Sequence, residues 1–259
     1  MSVPNSAGSE VPDSAANECL THSGTITRTT VSSTAYAQVV PVSIYLPPCY
    51  NSYTERLPVI YLLHGGNTDE TQWPDLRVQA EADALIANGA QPFVVVMPGG
   101  NYQAGIDYAA FVLSDLLPLM NDQLNIRTDA AGRAIGGISL GGYWALNIAF
   151  RHPDQFAAVG GYSPVVAEGS DDLVALAGTA AGLDRLRVQL NVGDADALVA
   201  STRRLATALE ARGLDVSFTI NPGGHNRPYW RSHTSDYLRF MLTTHVSSTI
   251  APVRCHAGQ

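Results

Sequence analysis

The chain has 259 residues, of which 46% are hydrophobic and only 15% are charged, and its formal net charge at pH 7 is −8. This length suffices for one large globular domain with a substantial core, and the acidic balance argues against nucleic acids and anionic membrane surfaces as partners. No apolar run approaches the ~20 residues that a membrane span needs.

The two ends of the chain differ in composition from its centre. Residues 1–23 are small, polar and dotted with proline, which predicts a flexible leader. They lack the charged start and apolar centre of a signal peptide and resemble the start of a mature secreted protein, so we expect a secreted or extracytoplasmic location. Residues 24–248 are predicted to form a single domain, and residues 249–259 a C-terminal tail.

The three cysteines, Cys19, Cys49 and Cys255, all lie outside the central part of the chain. None belongs to a C-x-x-C pair, so metal binding and thioredoxin-like chemistry are poorly supported. A disulfide between Cys19 and Cys49 would tie the leader to the first sheet segment. The alternative is three unpaired thiols.

Strand-like segments recur along the whole chain. Residues 24–47 contain two β-rich runs with little helix between them, which predicts an antiparallel start to a sheet. Apolar runs alternating with longer helix-like stretches then predict βαβ units and a mostly parallel sheet covered on both faces. These runs are LPVIYLLHGG (57–66), PFVVVMPGG (92–100), RAIGGIS (133–139), FAAVGGYSP (156–164), LRVQLNVGDAD (186–196) and VSFTINPGGH (216–225).

Four stretches between these runs predict helices. Asp75 is positioned to cap the first, LRVQAEADALIAN, which stops at Gly89. The others are YAAFVLSDLLPLMNDQL, GYWALNIAFRH, which ends before Pro153, and LVASTRRLATALEARG, which ends at Gly213.

The apolar runs end in Gly, Ser, Asp or His, and ligands bind at the carboxyl ends of strands in open α/β sheets. Ser139 lies at such an end, in Gly137-Ile138-Ser139-Leu140-Gly141, before an amphipathic helix. This context favours a nucleophile elbow over a loop serine. A Cβ at either glycine would collide with neighbouring backbone, and the N–H of Leu140 would point toward an oxyanion.

A serine hydroxyl needs a base to remove its proton, so a histidine is required. His225 alone follows a strand and a flexible double glycine downstream of Ser139, and we predict that it is the base. The other histidines are less suitable: His22, His245 and His256 lie near the termini, His152 closes a helix, His64 precedes a Gly-Gly loop and His233 lies in a predicted helix.

The imidazole in turn needs a carboxylate to fix its tautomer. The loop GDADALV supplies Asp194 and Asp196, and either fits on spacing alone. The other aspartate would cap the helix beginning near Ala197. The order Ser, acid, His along the chain is that of α/β-hydrolases.

A second oxyanion donor is expected from the loop after an early strand. HGGN at 64–67 fits, with the N–H of Gly66 as the donor and His64 shaping the loop. His225 and His233 are too far apart for an i, i+4 pair, and the carboxylates show no matching pattern. We therefore expect no metal and no cofactor.

Several motifs in a fixed order carry a family resemblance. They are VSIYLPPCY, LPVIYLLHGG, the downstream Trp73, DLLPLMN, RAIGGISLGGYWALNIAFRHPDQFAAVGGYSP, GDADALV and PGGHNRPYW. Across roughly residues 40–240, the chain resembles the esterase D-like family of α/β-hydrolases. That family includes feruloyl and acetyl-xylan esterases, S-formylglutathione hydrolases, enterochelin esterases and mycolyltransferases.

The resemblance implies an α/β-hydrolase fold, with antiparallel N-terminal strands on a mostly parallel sheet and helices on both faces. It implies that Asp196 is the catalytic acid and that Gly66 and Leu140 supply the oxyanion hole. Many relatives have methionine at the position of Leu140, which leaves the backbone N–H unaffected. The Pro-Cys pair before Tyr50, often Pro-Gly in relatives, is a less usual departure.

The resulting hypothesis is a serine carboxylic-ester hydrolase that acts through an acyl-enzyme. Aromatic residues next to the strand-end loops could form a platform for a sugar or a phenolic acyl group, or could pack beneath those loops: Trp73, Tyr102, Tyr162, Tyr229 and Trp230. With the family resemblance, they favour a carbohydrate-linked ester of the feruloyl or acetyl type. One alternative is an acyltransferase with the same triad and an alcohol or sugar acceptor. The other is a non-catalytic binding protein, which would be expected to lack a triad member.

Overall fold

The computed structural model describes Cys19 and residues 22–102, 106–168 and 171–242. The predicted C-terminal tail, including Cys255, and most of the predicted leader lie outside the described residues. The predictions for those two segments therefore stay predictions.

The described chain alternates strands and helices from residue 25 onward. The strands are β1 Thr25–Ser33, β2 Gln38–Leu46, β3 Val59–Leu63, β4 Val94–Pro98, β5 Arg133–Ile138, β6 Ala158–Tyr162, β7 Ala167–Glu168, β8 Asp171–Asp172, β9 Arg187–Gly193 and β10 Val216–Asn221. The helices are α1 Gln72–Asp75, α2 Val78–Ala87, α3 Tyr108–Ala110, α4 Leu117–Gln123, α5 Leu140–Arg151, α6 Leu173–Thr179, α7 Val199–Glu210 and α8 Arg227–Leu242. A π-helical segment, Phe111–Leu116, joins α3 to α4, and 3-10 turns cover Tyr50–Ser52, Ala130–Gly132 and Leu183–Arg185.

Eight of these strands form one sheet in the order β1-β2-β4-β3-β5-β6-β9-β10. The pairings β1–β2 and β2–β4 are antiparallel, and all the others are parallel. This confirms the predicted antiparallel start and mostly parallel centre. The chain leaves β3 toward β4 on one side and returns to β5 on the other, so the winding reverses between β3 and β5. Ligands bind at such a reversal in open α/β sheets.

The core consists of two apolar layers, one on each face of the sheet. Along β3, Val59, Tyr61 and Leu63 belong to one layer, and Ile60 and Leu62 belong to the other, because successive strand side chains point to opposite faces. Residues of α5 and α7 cover the first layer, and residues of α1, α2 and α8 cover the second. The prediction of helices on both faces is confirmed.

Two details of the helix predictions are wrong. Asp75 does not cap α2: it ends α1, and α2 follows Arg77, which has a φ of 70° and no capping side chain. The helix predicted over 108–124 is interrupted by the π-helical segment just before Pro118, whose ring removes one backbone donor.

A disulfide joins Cys19 to Cys49, across 30 positions of sequence. The predicted tie between the leader and the first sheet segment is therefore confirmed for these two residues. Among the described helices, none has the length and apolar character to cross a membrane.

Candidate active site

Ser139 lies in the sharp turn between β5 and α5, with φ of 56° and ψ of −115°. A Cβ on Gly141 would overlap the carbonyl oxygen of His64, and one on Gly137 would overlap the backbone of Gly141. Both positions therefore need glycine, as predicted, because backbone of the β3 loop runs against Gly141 and backbone of the first turn of α5 runs against Gly137. The hydroxyl of Ser139 is left partly exposed above the carboxyl end of β5.

The structure brings Ser139, His225 and Asp196 together in one hydrogen-bonded array. Oγ of Ser139 lies 2.9 Å from Nε2 of His225, although 86 positions separate the two residues. Nδ1 of His225 lies 2.9 Å from Oδ2 of Asp196. With the Nδ1 proton donated to the carboxylate, Nε2 is the acceptor for the serine hydroxyl.

The two aspartates of the GDAD loop have different roles. Asp196 is buried, with 2% of its surface exposed, and its Oδ1 accepts the N–H of Leu198 at 2.9 Å. Asp194 is exposed, and its Oδ1 accepts the N–H of Gly223 at 2.9 Å. The expectation that the other aspartate caps the following helix is wrong, because Asp194 instead fastens the loop that leads to His225.

Contacts of buried side chains support the loop that carries His225. The rings of Trp230 and His225 meet in a T-shaped contact, 4.9 Å between centroids, and Nε1 of Trp230 donates to Oγ of Ser163 at 3.1 Å. Asn191, inside β9, accepts at Oδ1 from the hydroxyl of Tyr229 at 2.7 Å. These contacts fix the start of α8, which begins two residues after His225.

The loop after β3 is held by hydrogen bonds on several sides. Burial lowers the pKa of His64, so the neutral ring is favoured and donates one N–H. Its nitrogens lie 2.7 and 2.6 Å from the carbonyl oxygens of Gly65 and Gly100. Oε1 of Gln72 accepts the N–H of Gly65 at 2.6 Å, and the hydroxyl of Tyr102 donates to the carbonyl of His64 at 2.6 Å. His64 therefore shapes this loop, as predicted.

Gly66 and Leu140 lie side by side next to Ser139. A Cβ placed on Gly66 would lie 3.8 Å from Cδ2 of Leu140, so the two residues are close neighbours. Leu140 is the first residue of α5, where backbone N–H groups have no partner within the helix. An oxyanion hole needs both N–H groups aimed at one point, so the assignment of Gly66 and Leu140 stays a prediction.

The aromatic residues singled out in the sequence divide between core and rim. Trp73 and Tyr162 are almost fully buried in the core, and Nε1 of Trp73 donates to the carbonyl of Leu63 at 3.1 Å. The prediction that these two bind substrate is wrong, because such side chains offer no surface. Trp230 is buried too, at 6% exposed, and supports the His225 ring, so the same prediction is wrong for it. Tyr102 is half-buried at the loop rim, and its role in substrate binding stays a prediction.

Tyr229 also packs inside the second core layer. The sequence did not lead us to predict three residues that support the Ser139–His225–Asp196 array and its loops: Gln72, Ser163 and Asn191. Asn191 could have been noticed as a polar residue within an apolar strand, since buried amides need partners. Gln72 and Ser163 give no comparable signal.

No cluster of three or more histidine, cysteine, aspartate or glutamate side chains that could hold a metal ion occurs in the part of the chain that the structure describes.

Known proteins resemble this chain in sequence and in fold. A family model described as "Putative esterase" matches residues 33–241. The chain belongs to this esterase family. A solved ferulic acid esterase has a TM-score of 0.78 at 24% identity, over 86% of this chain and 98% of that one. A feruloyl esterase module from Clostridium thermocellum, complexed with sinapinate, has a TM-score of 0.76 at 21% identity, over 93% and 95% of the two chains.

Among curated proteins, an endo-1,4-beta-xylanase/feruloyl esterase from Xylanibacter ruminicola is 32% identical over 152 residues. The match covers 51% of this chain and 20% of that protein, so this esterase-family chain spans about a fifth of the relative's length. The structural matches establish the α/β-hydrolase fold.

Proposed function

We propose that the chain is a serine carboxylic-ester hydrolase in which Ser139, His225 and Asp196 form the catalytic triad. The observation that carries this proposal is the array itself, with both hydrogen bonds at 2.9 Å. A serine, an imidazole and a buried carboxylate joined in this order activate the serine for acyl transfer. A non-catalytic binding protein would have no need for such an array.

In the first half of the reaction, Nε2 of His225 removes the hydroxyl proton of Ser139, and Oγ attacks the ester carbonyl. The oxyanion accepts hydrogen bonds from the N–H groups of Gly66 and Leu140. The imidazolium formed on His225 is stabilised by the carboxylate of Asp196. When the tetrahedral intermediate collapses, the C–O bond breaks, and the alcohol leaves with the proton from Nε2.

In the second half, water replaces the alcohol. His225 takes a proton from the water, whose oxygen attacks the acyl carbon bound to Ser139. Collapse of this intermediate breaks the bond to Oγ and returns the proton to the serine, so the acid is released and the free enzyme is restored. The steps balance with the ester and water alone.

We propose that the substrates are carbohydrate-linked esters of the feruloyl or acetyl type. Support comes from the family, from the relative that is named both xylanase and feruloyl esterase, and from the sinapinate-bound structural neighbour. The Cys19–Cys49 disulfide favours a location outside the reducing cytoplasm, where such polymers would be met.

The test is a hydrolysis screen of p-nitrophenyl acetate, longer p-nitrophenyl esters and methyl ferulate, with Ser139→Ala as the control. We expect wild-type turnover of at least one ester and a loss of about 1,000-fold or more in kcat for Ser139→Ala. Circular dichroism should show that the variant keeps its fold. Near-normal turnover by Ser139→Ala would contradict the proposal.

The same triad could pass the acyl group to an alcohol acceptor rather than to water. Product analysis of methyl ferulate turnover with and without added xylose separates the two reactions. We expect free ferulic acid as the main product in both mixtures. A sugar ester as the main product would favour the acyltransferase instead.

A further inference from the structure

A groove of about 540 Å³ lies between the α1–α2 junction and the start of α8. Its walls are Asp75, Leu76, Arg77 and Glu81 on one side, and Arg227, Pro228, Arg231 and Ser232 on the other. The groove takes no part in the triad or the oxyanion hole. One wall, however, begins two residues after His225, and the other begins at the end of α1, whose Gln72 binds the loop of Gly66.

The position of the groove follows from the chain path. Arg227 lies two residues after His225, so their Cα atoms are at most about 7 Å apart. Gln72, the first residue of α1, binds the loop of Gly66 through the N–H of Gly65. The α8 wall of the groove therefore begins on the His225 side of the site. Since His225 must hand its proton to the leaving oxygen, this is the side that would receive the alcohol portion of an ester.

The charge of the groove is opposite to that of the whole chain. Three arginines face two carboxylates there, although the chain carries a net charge of −8. Arg227 is neutralised by Asp75, with 3.0 Å between Nη2 and Oδ2. Among the described residues, Arg77 and Arg231 have no carboxylate within ion-pair distance. Two guanidinium groups are therefore available to an anion.

The backbone at Arg77 adds a second, independent observation. Its φ of 70° and ψ of 27° lie in the left-handed region, which costs a residue with a Cβ about 1 kcal/mol. Glycine or asparagine would make this turn at lower cost. Arg77 is exposed at the wall of the groove, and a guanidinium matches the geometry of a carboxylate.

We propose that this groove binds a carboxylate carried by the alcohol portion of the ester, as in an ester of an acidic sugar. The inference rests on the proposed function, because it assigns the alcohol side of the same site. Arg77 and Arg231 hold the carboxylate, while Ser139 reacts with the acyl carbon.

The kinetic test uses two esters with the same acyl group, 4-acetoxybenzoate and its uncharged counterpart 4-acetoxybenzamide. We expect Arg77→Gln and Arg231→Gln each to raise the ratio of the KM for the carboxylate ester to the KM for the amide by about tenfold. Arg204→Gln is the matched control, because it removes one exposed charge on α7, away from the groove. It should leave that ratio unchanged.

A second test measures binding and does not depend on turnover. At constant ionic strength, D-glucuronate should raise the melting temperature of the wild type more than D-glucose does, and the Arg77→Gln/Arg231→Gln double variant should lose this difference. Turnover of both esters with an unchanged KM ratio in both arginine variants would overturn the groove assignment and leave the esterase proposal standing. Turnover of neither ester would instead count against the esterase proposal, and the glucuronate arm would then decide the groove alone.

Discussion

Oδ2 of Asp196 and Nδ1 of His225 lie 2.9 Å apart, although 29 positions separate them in the sequence. We predict that Asp196→Asn lowers kcat by about 1,000-fold or more, because an amide favours the wrong imidazole tautomer and cannot stabilise the imidazolium. Asp194→Asn should leave kcat nearly unchanged, since its amide oxygen can still accept the N–H of Gly223. Steady-state kinetics on p-nitrophenyl acetate would measure both, and equal losses would contradict the assignment of the acid.

The close approach of the β3 loop to Gly141 gives a second prediction. Gly141→Ala would force a methyl group against the carbonyl oxygen of His64, with a cost of about 3 kcal/mol, and would displace the oxyanion loop. We therefore expect lower melting temperature and lower kcat together.

Gly178, on the exposed side of α6, is the matched control because a Cβ there meets nothing within 4 Å. Gly178→Ala should raise the stability by about 0.5 kcal/mol, since alanine loses less backbone entropy in a helix. A Gly141→Ala enzyme with wild-type stability and kcat would mean that the two backbones are farther apart than described.

The sequence was sufficient to predict the features that depend on local residue patterns. The apolar runs and the glycine pattern around Ser139 placed the strands and the turn, because strand burial and backbone crowding leave direct marks on composition. The choice between Asp194 and Asp196 could not be made from spacing, since both lie in one loop and only the path of the His225 loop distinguishes them.

The sequence pattern likewise could not show which aromatic side chains are buried. Trp73, Tyr162 and Tyr102 all lie near the carboxyl ends of strands in the sequence, but only the packing of α8 against the sheet shows that the first two are enclosed. Asp75 offered a helix cap by composition, and tertiary structure gave it Arg227 as partner instead. In each case a contact between residues distant in the sequence decided between two structures that the local pattern predicts equally well.

Asn191 gives a further prediction, because two hydroxyls donate to its Oδ1: Tyr229 at 2.7 Å and Tyr237 at 2.9 Å. Tyr229→Phe and Tyr237→Phe each remove one of these bonds, so each should cost about 1 kcal/mol of stability. Only Tyr229 packs against Gly223, two residues before His225. We expect Tyr229→Phe to lower kcat by about tenfold with little change in KM, and Tyr237→Phe to leave kcat unaffected.

This comparison separates positioning from stability. If both variants lose kcat in proportion to their loss of melting temperature, then Tyr229 acts only through the fold. If Tyr229→Phe alone loses kcat at equal stability, the loop of His225 depends on the hydroxyl of Tyr229.

The carboxylate of Asp115, in the π-helical segment, accepts four contacts from the β1–β2 turn: from Oγ of Ser33, from N and Oγ1 of Thr34, and from N of Ala35. Burial alone would raise the pKa of Asp115, but these hydrogen bonds outweigh it and lower the pKa below its ordinary value. The charged form therefore stabilises the fold above the unfolded pKa of about 3.9, and this contribution is lost as the pH falls through the lower native value.

We predict that Asp115→Asn lowers the free energy of unfolding by about 1.5 kcal/mol at pH 7. The difference in this free energy between the variant and the wild type should shrink progressively below about pH 4. Urea unfolding between pH 7 and pH 3 would measure this, with the exposed Asp122→Asn as a control of equal charge change. A difference that stays constant down to pH 3 would mean that the ionised carboxylate of Asp115 contributes nothing to holding the turn.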